Sequence, residues 1–372
     1  MKQLKFRTFI IAMLLASAMG VSAEKVEAIV GDLKYEIDTE TREASVIDAN
    51  NKSKLQTITI PNHIKVDGVD YAVRSLGAGC FDFCTSLTSI DIPSSVTRLG
   101  SGCFECCYSL THIIIPASVT RIGSQCFYKC YSLKSIDILA PITSLDNNCF
   151  RQCISLMSIV IPSSVTSLGL SCFEGCTSLT SVIIPYSITT LGRDCFRGCS
   201  SLKSIIIPTS VTKLGANCFR GCSSLTSIDI PASVTSLGQD CFDGCSSLTS
   251  IIIPSSVTSI GDYCFIYCRS LTSITCKIPT PLKDRSFFTN TPIENASLYV
   301  PEESIELYRT TSPWSGFGKI LPITTTDINN NTVTKEITIN AIYNIRGERK
   351  NGISCGLNII RMSDGTMRKI IK

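Results

Sequence analysis

The sequence predicts an α/β solenoid: a ladder of parallel strands joined by short helical turns, in about nine coils of 23 residues. Three observations predict it. Phe recurs at 81, 104, 127, 150, 173, 196, 219, 242 and 265, each step being 23, with Phe288 one step further. A Cys precedes each of the nine and a second follows three residues later, from Cys80 and Cys84 to Cys264 and Cys268, so eighteen of the 21 cysteines belong to the repeat. Pro93, Pro116, Pro162, Pro185, Pro208, Pro231 and Pro254 keep the same spacing.

Each element of the unit has a physical reading. Leu87, Ile90 and Ile92 form an L-x-x-I-x-I pattern, with Ile90 and Ile92 on one face of a short strand. Pro93 ends that strand, since it has no N–H for a ladder. Val96 and Leu99 turn inward across a second extended piece, and Gly100 supplies a turn for which positive φ is the expected reason. Cys103, Phe104 and Cys107 then fit one face of a single helical turn. One unit cannot bury its own apolar face, whereas stacked units can, with strands pairing about 4.8 Å apart.

The unit L-T-S-I-x-I-P-x-S-V-T-x-L-G-x-x-C-F-x-x-C-x-S resembles the leucine-rich repeat superfamily, specifically its BspA-like (Treponema-type) class of Bacteroidetes surface proteins. Residues 225–248, LTSIDIPASVTSLGQDCFDGCSSL, stand close to that class, and the resemblance covers roughly residues 55–325. One departure is consistent: Cys stands before the Phe in every unit, where the family often has Ala. The resemblance implies a leucine-rich-repeat solenoid and an exported surface protein, several relatives being linked to adhesion.

Composition narrows the function. Of 372 residues 44% are hydrophobic and 17% charged, which argues against a disordered chain. Residues 1–23 combine Lys2, Lys5 and Arg7 with an apolar run from Phe9 to Leu15 and end in Val21-Ser22-Ala23. This reads as a secretory signal peptide cleaved after Ala23, and a secreted or cell-surface location follows. No Cys lies near the cleavage point, which argues against a lipid anchor. No later stretch is long and apolar enough to span a bilayer. The leader carries +3 of the formal +4, so the mature chain has no global nucleic-acid signature. Two His and one Trp argue against His-based catalysis or a His-rich metal site.

The remaining segments are assigned in order. Residues 24–76 form an N-terminal cap and first irregular coil. Tyr35, Ile37, Val46 and Ile47 suggest a hairpin, and Asp67-Gly68 is a turn signal. The solenoid occupies 77–297. Its unit at 133–155 is irregular, with Leu139 in place of Pro and Asp146 in place of Gly. Residues 298–321 form a C-terminal cap, in which Glu302, Glu303 and Glu306 suit a helix start and Trp314 and Phe317 cover the last repeat. A linker at 322–340 precedes a basic region at 341–372 that holds seven basic residues and two acids. Its Y-N-x-x-G, G-x-x-I-I and K-I-x-x-K elements resemble a type IX secretion sorting region, although the upstream half is shortened or missing. A terminal hairpin on the cap is the alternative reading, with turns at Arg346-Gly347 and Asp364-Gly365.

The cysteines fit packing better than chemistry. Structural zinc wants C-x-x-C knuckles converging from two segments, unlike a fixed spacing around a repeated Phe. Side chains at i and i+4 on a helical turn hold their β-carbons about 5–6 Å apart, whereas a disulfide needs about 3.5–4.5 Å. The column therefore reads as buried thiols acting as small hydrophobes. Cys106, Cys276 and Cys355 fall outside it and are the better candidates for reactivity. No nucleophile elbow, Walker loop or H-E-x-x-H motif occurs, so neither an enzyme nor a cofactor is expected.

Binding is expected on the residue between the two inward positions of each strand. The candidates are Ile114, Asp137, Val160, Ile183, Ile206, Asp229 and Ile252, with Asp91 and Thr275 at the ends of the row and His112 beside it. A serine column, including Ser158, Ser181 and Ser204, runs alongside. On the fold that the resemblance implies, this is the concave strand face. Val160, Ile183 and Ile206 make an apolar stripe of the kind that marks partner surfaces. The expected role is adhesin-like binding of a macromolecule outside the cell, a protein or glycan of host matrix or of another bacterium. Capture of glycans or peptides for nutrient uptake is the alternative.

Overall fold

The computed structural model describes residues 25–283 and 286–324, together with strands Ile339–Tyr343, Arg349–Lys350, Leu357–Met362 and Met367–Ile371. The leader, Cys355, the two C-terminal turns and most of the linker lie outside the described residues. The chain divides into two compact units, residues 1–154 and 155–372.

The first unit opens with an antiparallel meander of Lys25–Val30, Leu33–Asp38 and Glu43–Ala49. Period-two alternation buries Leu33, Tyr35 and Ile37 on one strand and Ala44 and Val46 on the next, and Ala49 is buried out of phase beyond a register shift. A hairpin of His63–Val66 and Val69–Leu76 follows, turning at Asp67 and Gly68, both left-handed. The strand Val69–Leu76 then pairs in parallel with Arg98–Leu99, which pairs with Arg121–Ile122. One sheet thus passes from an antiparallel cap into a parallel ladder, and the cap covers an edge that would otherwise template aggregation.

The outward ladder of this unit pairs Thr57–Thr59 with Ser89–Asp91, and His112–Ile115 with Ser135–Ile138. Inside, Phe81, Phe104, Phe127 and Phe150 stack with centroids 5.3–5.6 Å apart and planes within 11°. All four are fully buried. Burial of each ring contributes roughly 2–3 kcal/mol, and the spacing suits offset stacking.

The segment expected to be a helical turn is a string of tight turns. Cys103, Glu105 and Cys107 donate backbone N–H bonds three residues back, to Gly100, Gly102 and Phe104. Left-handed residues four apart, Gly102 and Cys106, prevent an α-helix from forming. The remaining backbone groups reach the adjacent coil: Phe81 N–H donates to Cys103 at 3.0 Å, and Phe104 N–H to Cys126 at 2.9 Å. Gly100 is required for a different reason than expected. Its φ is not left-handed, but an added Cβ would stand 2.4 Å from Ala78 N and 2.5 Å from the Gly77 carbonyl carbon. The coils touch backbone to backbone there. At the equivalent position of the irregular unit stands Asp146, and the parallel ladder of this unit ends one step earlier, at Arg121–Ile122.

The second unit repeats the plan. Ser158–Val160 pairs with Ser181–Ile183. Further along, Ser227–Asp229, Ser250–Ile253, Ser273–Cys276, Ser297–Val300 and Lys319–Pro322 form one parallel sheet. Between those two stretches the outward ladder holds a single bridge, Ile206 to Asp229. The phenylalanines from 173 to 288 stack at 5.4–5.7 Å.

The last coil closes on Trp314, which is buried edge-on against Phe288 and Tyr308 and donates its indole N–H to Leu282 O at 2.9 Å. Phe317 covers Phe288 as expected. The six-residue helix Ile305–Thr310 is the one α-helix among the described residues. Arg349–Lys350, Ile339–Tyr343, Leu357–Met362 and Met367–Ile371 form, in that spatial order, an antiparallel sheet. About eleven turns result, against about nine expected, because the end coils lack the Cys-Phe motif and depart from the 23-residue step.

Candidate functional site

The ladder sets the candidate residues in register. In the first unit His112 stands opposite Ser135, and Ile114 opposite Asp137. In the second, Val160 pairs with Ile183, Ile206 bridges to Asp229, and Asp229, Ile252, Thr275 and Tyr299 follow one another across the sheet. Strand alternation turns these side chains outward, because the flanking Ile159, Val182, Ile205 and Ile228 are buried in the core. Ile114 and Ile206 are about half exposed, at 49% and 52%. Val160, Ile183 and Ile252 are half-buried. Thr275 departs from expectation: it is buried, at the step where the closing coil joins the sheet.

Two hydroxyl columns behave differently. The threonines flanking the strands spend their hydroxyls on the fold. Thr226 donates to Lys203 O, Thr249 to Thr226 O and Thr272 to Thr249 O, one coil back each time. The serines on the outward face do not. Ser158, Ser181, Ser204, Ser227, Ser250 and Ser273 have no side-chain hydrogen bond among the described residues. An apolar row thus runs beside a row of uncommitted donors and acceptors.

His112 has more company than its sequence context announced. Its Nδ1 lies 2.9 Å from Ser135 Oγ, and its Nε2 is 3.6 Å from Asp137 Oδ2. The three share the outward face because Ser135 and Asp137 sit two apart on the neighbouring strand. The carboxylate stands beyond hydrogen-bond distance, and the cluster is a polar contact patch on an open surface. Among the described residues no group of three or more His, Cys, Asp or Glu is placed to hold a metal ion.

The twenty described cysteines are buried thiols. The second Cys of a unit donates its S–H to the carbonyl of the Phe one coil back: Cys107 to Phe81, Cys130 to Phe104, Cys222 to Phe196 and Cys245 to Phe219, at 3.1–3.2 Å. Thr291 makes the same bond to Phe265 where the Cys column stops. Burial pushes the Cys84 and Cys222 thiols up to about 12 and Cys276 up to about 11, since a thiolate loses its hydration there. Cys106 and Cys276, singled out as candidates for reactivity, are both buried. Cys276 is also tied to Tyr308 Oη at 3.2 Å, so neither is placed to react.

The sequence missed two residues that extend the row. Tyr299 follows Thr275 in register, and Leu321 follows Tyr299. Their steps are 24 and 22 residues, which hides them from a search at 23. The echo of strand-then-proline in Leu298-Tyr299-Val300-Pro301 and Lys319-Ile320-Leu321-Pro322 is the signal that finds them.

A stack of short parallel strands with one row of residues turned away from the core defines a repeat solenoid. Residues 48–180 and 166–294 match the BspA type leucine rich repeat region, in six copies. The match spans more than half of the sequence, and the chain belongs to the BspA-type leucine-rich-repeat family. Among solved structures, a leucine-rich repeat protein from Bacteroides ovatus ATCC 8483 is 28% identical, with a TM-score of 0.65 over 79% of this chain and 76% of that one. A leucine rich cell surface protein from Faecalibacterium prausnitzii A2-165 is 25% identical, with a TM-score of 0.56 over 82% of this chain and 97% of that one. No curated relative matches the chain. No helix among the described residues is long and apolar enough to cross a membrane.

Proposed function

We propose that this is an exported, surface-displayed repeat protein that binds a macromolecular partner, in the manner of an adhesin, and catalyses no reaction. The observation that carries the reading is the outward row of the second unit. Val160, Ile183, Ile206 and Ile252 offer apolar contact, and the serine column beside them is free to hydrogen-bond a partner. The family match and the cell-surface relative support display outside the cell. Residues 1–23 supply the route across the inner membrane, and the basic C-terminal region, with its likeness to a type IX sorting region, supplies a signal for the outer one.

The serine column also supports a second reading, capture of glycans for nutrient uptake. Pyranose rings present apolar C–H faces and hydroxyls together, as this surface does. Binding of the purified chain to extracellular-matrix protein and glycan arrays separates the two. Ile206→Glu and Ile252→Glu are expected to weaken binding at least tenfold while leaving the far-UV circular dichroism unchanged. Unaltered binding by both variants, or no binding on either array, overturns the assignment of this face.

A further inference from the structure

The strand Met367–Ile371 lies alongside Ser181–Ile183 of the second unit. We propose that this stretch of the row, from Val160 to Ile206, is a docking surface for the chain's own C-terminal sheet. An external partner at that stretch then competes with the tail. The competition rests on the reading of the row as a binding face, whereas the docking does not.

Four observations converge on this occupant. First, Met367–Ile371 is an edge strand, paired with Leu357–Met362 on one side and unpaired within its own sheet on the other. An unpaired edge seeks backbone partners. Second, the outward ladder is interrupted beside Ser181–Ile183. Its next full strand is Ser227–Asp229, and the coil between contributes only the Ile206 bridge. Apolar surface and incomplete pairing therefore coincide where the tail arrives.

Third, the composition of the strand suits an apolar surface. The docking strand itself reads Met367-Arg368-Lys369-Ile370-Ile371, mixing apolar residues with two cations. The stretch it meets presents Val160, Ile183 and Ile206. Fourth, the tether is long enough. From Lys319–Pro322 back to Ser181–Ile183 is six coil steps, about 29 Å at about 4.8 Å each. The fourteen residues 325–338 span up to about 48 Å. A tether of that reach holds the tail at millimolar effective concentration, so modest affinity suffices to keep the surface covered.

Hydrogen exchange of the full chain, read by mass spectrometry with no external ligand, tests the docking. Ile183→Glu places a charge under the docked strand. It is expected to accelerate exchange across Met367–Ile371 at least tenfold and to leave the buried segments around Phe219 and Phe242 unchanged. Ile252→Glu, on the same row but three coils away, is expected to leave tail exchange at the parent rate. Equal tail exchange in the parent and Ile183→Glu overturns the proposal, as does an equal effect of Ile252→Glu. A failure of array binding leaves these outcomes untouched, so the two readings fail separately.

Discussion

The two units build the same coil with different turn chemistry. Each Cys-Phe turn passes through the left-handed region twice, four residues apart. In the first unit Gly79, Gly102, Gln125 and Asn148 take the first of these positions, and Phe83, Cys106, Lys129 and Gln152 take the second. In the second unit the first position holds Ser171, Asp194, Asn217, Asp240 and Tyr263, while Gly175, Gly198, Gly221, Gly244 and Tyr267 hold the second. Asn and Asp tolerate this conformation through local hydrogen bonds, and Gly adopts it without a steric cost. Phe and Lys do neither. Both units hold such strained turns, and their side chains make contacts there: Lys129 Nζ sits 5.0 Å from the Tyr128 ring, and the Arg269 guanidinium 5.8 Å from the ring of the left-handed Tyr267. The lesson is that the coil's geometry is set by neighbouring coils, which hold a turn that local propensity opposes.

The strongest challenge to this comparison is alkali, because both units share the thiol column. Burial raises the thiols, so the folded state keeps protons that the unfolded chain releases near its ordinary value of 9.0. The stabilisation is complete below about pH 9 and is lost as pH climbs toward the folded values near 12. Each raised thiol removes about 1.4 kcal/mol per pH unit across that window. Between pH 8.5 and 11 both units are expected to unfold cooperatively. Circular dichroism follows both units, and Trp314, the single Trp, follows the second. A chain still folded at pH 11 contradicts the buried-thiol account.

Next in size is the glycine at the backbone contact between coils, which the units also share. An added Cβ at Gly238 would stand 2.4 Å from Ala216 N, and at Gly123 2.5 Å from Ser101 N. Gly238→Ala and Gly123→Ala are each expected to cost about 3 kcal/mol, at the upper end of overpacking, since backbone cannot step aside as a side chain does. Urea denaturation read by segment-resolved hydrogen exchange checks whether each unit is hit alike. A loss below about 1 kcal/mol would mean that the coils separate freely at this contact.

The smallest effect sharpens the contrast most. Gly198→Lys is expected to cost about 1–2 kcal/mol through its left-handed backbone. Lys129→Gly removes the equivalent strain but adds unfolded-chain entropy and loses the Tyr128 contact, so its net effect stays within about 1 kcal/mol of zero. Thermal melts of the two variants settle it, and equal destabilisation by both would erase the distinction between the units.

Much of the fold was legible because a solenoid gives the same site in every coil the same neighbours. The Phe column, the inward Ile and Leu positions and the strand-ending prolines needed only a count of 23. The Asp67-Gly68 turn and the Trp314 closure were readable from local chemistry. The outward row was legible as positions facing away from the core, and its register followed from the period. Less visible were Tyr299 and Leu321, whose steps differ from 23, the burial of Thr275, and the partners of His112.

The sequence by itself determined the repeat, its core columns and the outward face, since identical residues at a fixed step can only stack if they share one interior. Tertiary structure alone decided why the turn must hold Gly at Gly100 and Gly238, which carbonyl each thiol meets, and where the last strand comes to rest. Those depend on how closely one coil's backbone approaches the next, and on contacts between segments distant along the chain, which no residue announces in its own neighbourhood.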